Sequence, residues 1–172
     1  MPISKPIIPN KKGYAIKEDP VTKEQYYEKI PYGYSKETIE ISKSRYFTIP
    51  EAKNNLFTIK LVGGGASYKN TVNGANGDII IKDLTLNTGD MVYINIGVAG
   101  EMEGNGGTTS FGTYFNSLGG VNTGIDENLN NDNEDADIIE YDEYNYGNGG
   151  TIDREPQNGV CIISYEKPIY ND

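Results

Sequence analysis

The chain has 172 residues and a formal net charge of −10, from 25 acidic and 15 basic side chains. A chain of this length can bury enough apolar surface to fold without disulfides, and its single cysteine, Cys161, has no partner within the chain. The sequence contains no histidine, which removes the most common general base and zinc ligand. Composition therefore excludes histidine-dependent hydrolases, and we expect no enzymatic activity, no cofactor and no metal site.

The negative charge is concentrated in one window of the sequence. Residues 126–143 contain nine acidic side chains and no basic one, so the remainder carries 15 basic and 16 acidic side chains, a net charge of −1. Nucleic-acid binding requires a basic face, which we do not expect here. Clustered carboxylates in the window could bind calcium, although the EF-hand pattern is missing; a solvated acidic loop is the alternative.

The sequence predicts no membrane insertion. Its longest apolar runs, such as Ile79–Ile81, are far shorter than the roughly 18 residues that cross a bilayer. The first twelve residues lack the apolar core of a signal peptide. We therefore expect synthesis and assembly in the cytoplasm of the producing cell.

Residues 1–37 are predicted to form an extended N-terminal arm. Five of the eight prolines lie there, and proline interrupts both helices and sheets. A short helix is predicted within residues 19–30, with Asp19 as N-cap and Pro20 at the first helical position. The apolar and aromatic side chains of the arm are typical of a segment that docks onto another protein; a disordered tail is the alternative.

From residue 38 onward, apolar and polar residues alternate in short runs separated by glycine turns, a pattern typical of strands. Strands are predicted at 38–49 with a break near 43–45, at 56–62, 78–86, 91–98 and 159–165. Residues 87–90 are predicted to join the third and fourth strands as a hairpin turn. The predicted fold of residues 38–172 is all-β, an antiparallel, jelly-roll-like β-sandwich with long glycine-rich loops.

Residues 99–158 form a long polar excursion that is rich in glycine. Connections of this length inside a domain are usually functional. Glycine at this density can supply turns with positive φ, allow backbones to approach closely, or build polyproline-II-like helices that pack without side chains. The sequence leaves these three roles open.

Several short motifs follow one another in a characteristic order: FTIP at 47–50, an amphipathic strand entering a glycine run at 57–65, TGD within 86–93, INIGVAG at 94–100, GGTTSFG at 106–112 and GVCIISY at 159–165. This order resembles the glycine-rich domain of bacteriophage tail fibres, receptor-binding tail proteins and related phage-tail-like particles. The resemblance implies a β-sandwich on a virion tail, host-surface recognition without enzymatic activity, and a homotrimer. Two departures, the short glycine run and the acidic window, weigh against a lattice of polyglycine helices.

Tyrosines in the predicted loops are the main candidates for ligand binding, because a tyrosine ring offers rigid contact area with a polar tip. The candidate residues are Tyr68, Tyr114, Asn116, Tyr141, Tyr144 and Tyr146; anchoring of the loops is the alternative role. The nearby acidic side chains disfavour an anionic polymer, so a neutral glycan or a protein receptor is expected.

The sequence thus predicts a non-enzymatic tail fibre or receptor-binding protein of a virion. Its arm would bind other tail proteins, and residues 99–158 would contact the host surface. The alternatives are a structural decoration or collar protein of the same particle, and a small carbohydrate-binding module.

Overall fold

The computed structural model describes residues 8–122 and 146–171. This part of the chain contains ten strands: β1 Tyr14–Glu18, β2 Gln25–Lys29, β3 Gly33–Ile41, β4 Arg45–Thr48, β5 Leu56–Val62, β6 Ile79–Thr85, β7 Met91–Asn95, β8 Thr109–Phe111, β9 Phe115–Ser117 and β10 Val160–Ile169. A single 3-10 turn, Lys53–Asn55, is the one helical element among the described residues.

Two four-stranded antiparallel sheets enclose the hydrophobic core. The first sheet has the strand order β3-β10-β5-β6, and the second has the order β4-β7-β8-β9. Fully buried side chains from both sheets, including Phe57 and Ile59 of the first and Ile94 and Phe111 of the second, form one cluster. The predicted all-β sandwich is confirmed, because alternating apolar residues on each strand face the opposite sheet.

The turn between β6 and β7 differs from the prediction. The two strands belong to different sheets, so residues 87–90 form an arch across the core and the predicted hairpin is wrong. Gly89 donates its backbone N–H to the carbonyl of Ile49, and Ile49 donates to that of Asp90. The sequence identified the turn residues correctly. It did not identify the strands that pair with β6 and β7, because strand pairing depends on contacts between residues that are distant in sequence.

Strands β3 and β10 are longer than expected. They pair without a break from Ile41–Cys161 to Gly33–Ile169, so the arm ends near residue 32 instead of 37. Strands β8 and β9, three residues each, lie within the glycine-rich excursion and had no expected counterpart. Strands this short are stabilised by the rest of the sheet to which they belong. The alternation of residues within the segment therefore does not predict them.

The described part of the arm is a β-hairpin, and the helix predicted within 19–30 is wrong. Asp19 accepts hydrogen bonds from the backbone N–H groups of Val21 and Thr22, as an N-cap would, but the chain turns back at Lys23, whose φ is 61°. These hydrogen bonds lower the pKa of Asp19. The cross-strand contact of Tyr14 with Tyr27, 6.0 Å between ring centroids, favours strands over the helix.

Candidate functional site

At one end of the sandwich, seven chain segments run side by side without forming a sheet. They are residues 63–67, 74–78, 97–100, 104–107, 118–122, 147–150 and 156–159, here named the glycine lattice. Segment 63–67 continues directly from β5, 97–100 follows β7, and 118–122 continues from β9. Segments 74–78, 104–107 and 156–159 lead back into β6, β8 and β10. The chain therefore leaves the sandwich and returns to it repeatedly through this lattice.

Segment 63–67 lies at the centre of the lattice. The backbone N–H groups of Gly63 and Ala66 donate to segment 74–78, those of Gly64 and Ser67 donate to 104–107, and that of Gly65 donates to Gln157, at 2.8–3.0 Å. Successive residues thus donate hydrogen bonds to three different neighbouring segments in turn, and the pattern repeats every third residue. A repeat of three residues is the geometry of a polyproline-II-type helix.

The carbonyl groups of the central segment face three further neighbours. Those of Gly64, Gly65 and Ala66 accept hydrogen bonds from the N–H groups of Gly120, Gly100 and Gly150, each at 2.8 Å. Six segments therefore surround the central one, and each is joined to it by at least one backbone hydrogen bond. The main chain satisfies its own polar groups here without helix or sheet.

The close spacing of the segments explains the glycine content. A Cβ atom on Gly64 would lie 2.2 Å from the carbonyl oxygen of Val98, and one on Gly106 would lie 1.8 Å from that of Gly64. The structure thus combines close approach with polyproline-II-like geometry, and the expectation against a polyglycine lattice is wrong. The run Gly63–Gly65 suffices because short glycine segments elsewhere in the chain provide its neighbours.

Asparagine side chains complete the hydrogen bonding of the outer segments. The Oδ1 atoms of Asn158 and Asn76 accept from the N–H groups of Ala99 and Gly149, at 2.7 and 2.8 Å. In both cases a side-chain amide oxygen of a neighbouring segment supplies the acceptor in place of a main-chain carbonyl.

Three described connections lie at the end of the lattice away from the sandwich: residues 68–73, 101–103 and 151–155, here named the distal loops. Met102 is 98% exposed and Ile152 is 75% exposed. Asn70, Thr71, Met102 and Glu103 have φ values of 44° to 66°, a region that disfavours residues with a Cβ. Such geometry concentrates at functional sites, so these loops combine exposed apolar side chains with a constrained backbone.

The predicted ligand-binding residues occupy three separate places. Tyr68 lies in a distal loop and is half-buried. Tyr114 and Asn116 flank the buried Phe115: Asn116 lies on the outer face of the second sheet, whereas the Tyr114 ring packs beside the buried Phe111. Tyr146 lies at the sandwich end of the lattice, where it packs against a small cluster that includes Val62 and its hydroxyl hydrogen-bonds to Glu40.

Tyr146 is therefore positioned to anchor the chain, as the alternative interpretation proposed. Tyr141, Tyr144 and the acidic window 126–143 lie outside the described residues. Sequence reasoning missed Met102 and Ile152 of the distal loops, and also Tyr46 and Tyr93 of the second sheet. The alternation in RYFT and MVYIN, where Phe47, Val92 and Ile94 are buried, could have placed the two tyrosines on the outer face.

Cys161 is buried in the core, and burial raises the pKa of its thiol to about 12, so it is a core residue with no accessible thiolate. Over residues 8–122 and 146–171, no three histidine, cysteine or carboxylate side chains are grouped to hold a metal. The same residues include no helix with the length and apolar character of a membrane span.

Comparisons with protein-family models, with curated proteins and with solved structures find no significant match to this chain. The candidate site is therefore defined by its own geometry: a backbone-bonded lattice rooted in a sandwich, with exposed loops at its far end.

Proposed function

We propose that this protein is a non-enzymatic receptor-binding component of a bacteriophage-type tail, in which the distal loops contact the host cell surface. The single observation that supports this function most strongly is the glycine lattice. The resemblance in the motif order implies host-surface recognition, and the exposed side chains of the distal loops lie at the end of this lattice.

The lattice suits the presentation of recognition loops. Each segment is hydrogen-bonded to its neighbours along its length. Glycine has no side chain, so substitutions among side chains cannot alter the structure of the lattice at these positions. Substitutions are therefore expected to be tolerated in the connections, which can change without disturbing the scaffold. A fixed scaffold that carries variable loops is useful for a protein that must bind a variable cell surface.

The N-terminal hairpin supports attachment to a particle. A two-stranded hairpin is marginally stable alone, yet this one exposes Val21, Tyr26, Ile30 and Tyr32. It connects to the sandwich through Tyr32, whose backbone N–H donates to the carbonyl of Ile169 at 2.9 Å. We propose that residues 1–32 bind another tail protein or a sister subunit of a trimer, as the resemblance implies.

The alternative is a decoration protein of the same particle with no ligand. The exposure of Met102 and Ile152 favours the receptor-binding function, because exposed apolar side chains gathered at one end of a protein are typical of an interaction surface. A decoration role would be served equally well by polar loops.

The deciding experiment replaces Met102 and Ile152 together by serine and measures adsorption of the assembled particle to its host cells. We expect adsorption to fall at least tenfold while thermal stability is unchanged. Val98→Ser, which alters an exposed apolar side chain on the flank of the lattice, is the matched control and should adsorb normally. Normal adsorption of the double variant would instead favour the decoration role.

Attachment is tested separately with a chain that begins at Tyr32. This shortened chain retains both four-stranded sheets and is expected to fold, but to be absent from purified particles. Its normal incorporation would show that the hairpin is not the docking element.

A further inference from the structure

The outer face of the second sheet carries a pair of exposed tyrosines. Tyr46 of β4 lies directly opposite Tyr93 of β7, and their ring centroids are 5.0 Å apart at an interplanar angle of 61°. The two side chains are 67% and 44% exposed. Their sequence neighbours Phe47, Val92 and Ile94 are buried, so the tyrosines point away from the core.

A row of polar side chains runs next to these tyrosines. Asn95, Ser110 and Asn116 are register partners across β7, β8 and β9, which places adjacent side chains about 5 Å apart. Asn95 follows Tyr93 by two residues, so the polar row lies about 7 Å from the aromatic pair on the same face. The amide nitrogen of Asn95 donates to the carbonyl of Thr108 at 2.8 Å, which orients this side chain.

Tyr114 lies in the turn between β8 and β9 and is half exposed. A Cβ on the neighbouring Gly112 would meet the buried Val92 side chain at 2.9 Å and the Tyr114 ring at 3.5 Å. Tyr114 also contacts the fully buried Phe111, with ring centroids 5.8 Å apart. Its ring therefore lies beside the core, and it is not one of the side chains of the outer face.

None of these five outward-facing side chains (Tyr46, Tyr93, Asn95, Ser110 and Asn116) is charged at neutral pH, although the chain carries a net charge of −10. The face therefore favours neither a cationic nor an anionic ligand. A polar row alongside exposed rings is instead the surface that a sugar ring needs, with one apolar face and a rim of hydroxyl groups.

We propose that this face binds a neutral saccharide. The rings of Tyr46 and Tyr93 contact the apolar face of a pyranose, and Asn95, Ser110 and Asn116 hydrogen-bond with the hydroxyl groups. The site lies on the side of the sandwich, apart from the distal loops, and it does not depend on the protein being a tail component.

The test titrates the full-length protein with chitotetraose, cellotetraose and maltotetraose, measured by calorimetry and by tyrosine fluorescence. We expect saturable binding of at least one of these probes. Tyr46→Ala and Asn116→Ala should each weaken binding at least tenfold without lowering the melting temperature. Tyr93→Phe, which keeps the ring, should bind as the natural sequence does. Tyr32→Ala, which removes an exposed tyrosine of the arm, is the matched control and should also bind normally.

Absence of saturable binding to all three probes would overturn the proposal, and so would binding that survives both alanine substitutions. Sedimentation provides an independent check: self-association that disappears in Tyr46→Ala would identify the face as an interface between copies. Adsorption that depends on Met102 and Ile152, together with no saccharide binding, would leave the tail function standing and remove only this site.

Discussion

In the sandwich, side chains hold two sheets together, whereas in the glycine lattice the main chain holds seven segments together. Phe57 and Phe111 fill the sandwich core without exposure to solvent. In the lattice, the close contacts are made by carbonyl oxygens of neighbouring segments, which lie where the Cβ atom of a larger residue would be in place of glycine. The two regions thus reach close packing by opposite means.

The difference determines what each region can accept by substitution. A core of side chains tolerates exchange among apolar residues of similar volume. The glycine positions of the lattice have no side-chain volume to exchange, so a methyl group added at Gly64 or Gly106 must displace a backbone. The two regions meet at the strand ends, where Thr109 accepts a hydrogen bond from the N–H of Gly97 at 2.9 Å.

The largest effect is expected for Gly64→Ala at the centre of the lattice. The new Cβ would lie 2.2 Å from the carbonyl oxygen of Val98, so segments must separate and several backbone hydrogen bonds break. We expect a loss of more than about 3 kcal/mol in the free energy of unfolding, measured by urea denaturation. Gly33→Ala, which has nothing within 4 Å of its added Cβ, is the control and should be close to neutral. Equal stability of both variants would contradict the lattice.

The sandwich is tested by Phe57→Ala, which removes a fully buried ring from the contact between the sheets. We expect a loss of about 3–5 kcal/mol, from lost burial and the cavity left behind. Leu56→Ala alters the preceding residue, whose side chain is half exposed, and should cost much less. A similar cost for the two substitutions would mean that the side chains of β5 do not alternate between core and solvent.

The junction of the two regions is tested by Thr109→Val, which preserves shape but removes the hydroxyl. The buried N–H of Gly97 then lacks an acceptor, at a cost of about 1–3 kcal/mol. Thr113→Val, at an exposed position in the β8–β9 turn, should leave the midpoint of denaturation unchanged. An unchanged midpoint in Thr109→Val would place the acceptor of Gly97 elsewhere.

The smallest effect concerns Cys161, whose burial raises its thiol pKa to about 12. The thiolate is the reactive form, so the native protein is expected to remain unmodified by Ellman's reagent from pH 7 to pH 9. Addition of denaturant should release one reactive thiol per chain. Rapid modification of the native protein would mean that the core opens at β10.

Local patterning was enough to predict the strands that carry alternating residues. Strand β5 occupies Leu56–Val62 as expected, because its buried positions Phe57, Ile59 and Leu61 repeat every second residue. Of the candidate site, Tyr68 and the pair Tyr114 and Asn116 were named from the sequence. The outward placement of Asn116 follows from its alternation with the buried Phe115 and Ser117, whereas the contact of Tyr114 with Phe111 does not.

Only the tertiary structure decided how distant segments meet. The turn at 87–90 could not reveal that β6 and β7 enter different sheets, and Asp19 formed its cap interactions within a hairpin turn instead of a helix. The lattice is the clearest case, since Gly65 donates to Gln157 across most of the domain. The glycine content shows which segments can approach another backbone closely, but it does not identify the segment that they approach. That partner is set by the strand ends from which the segments emerge.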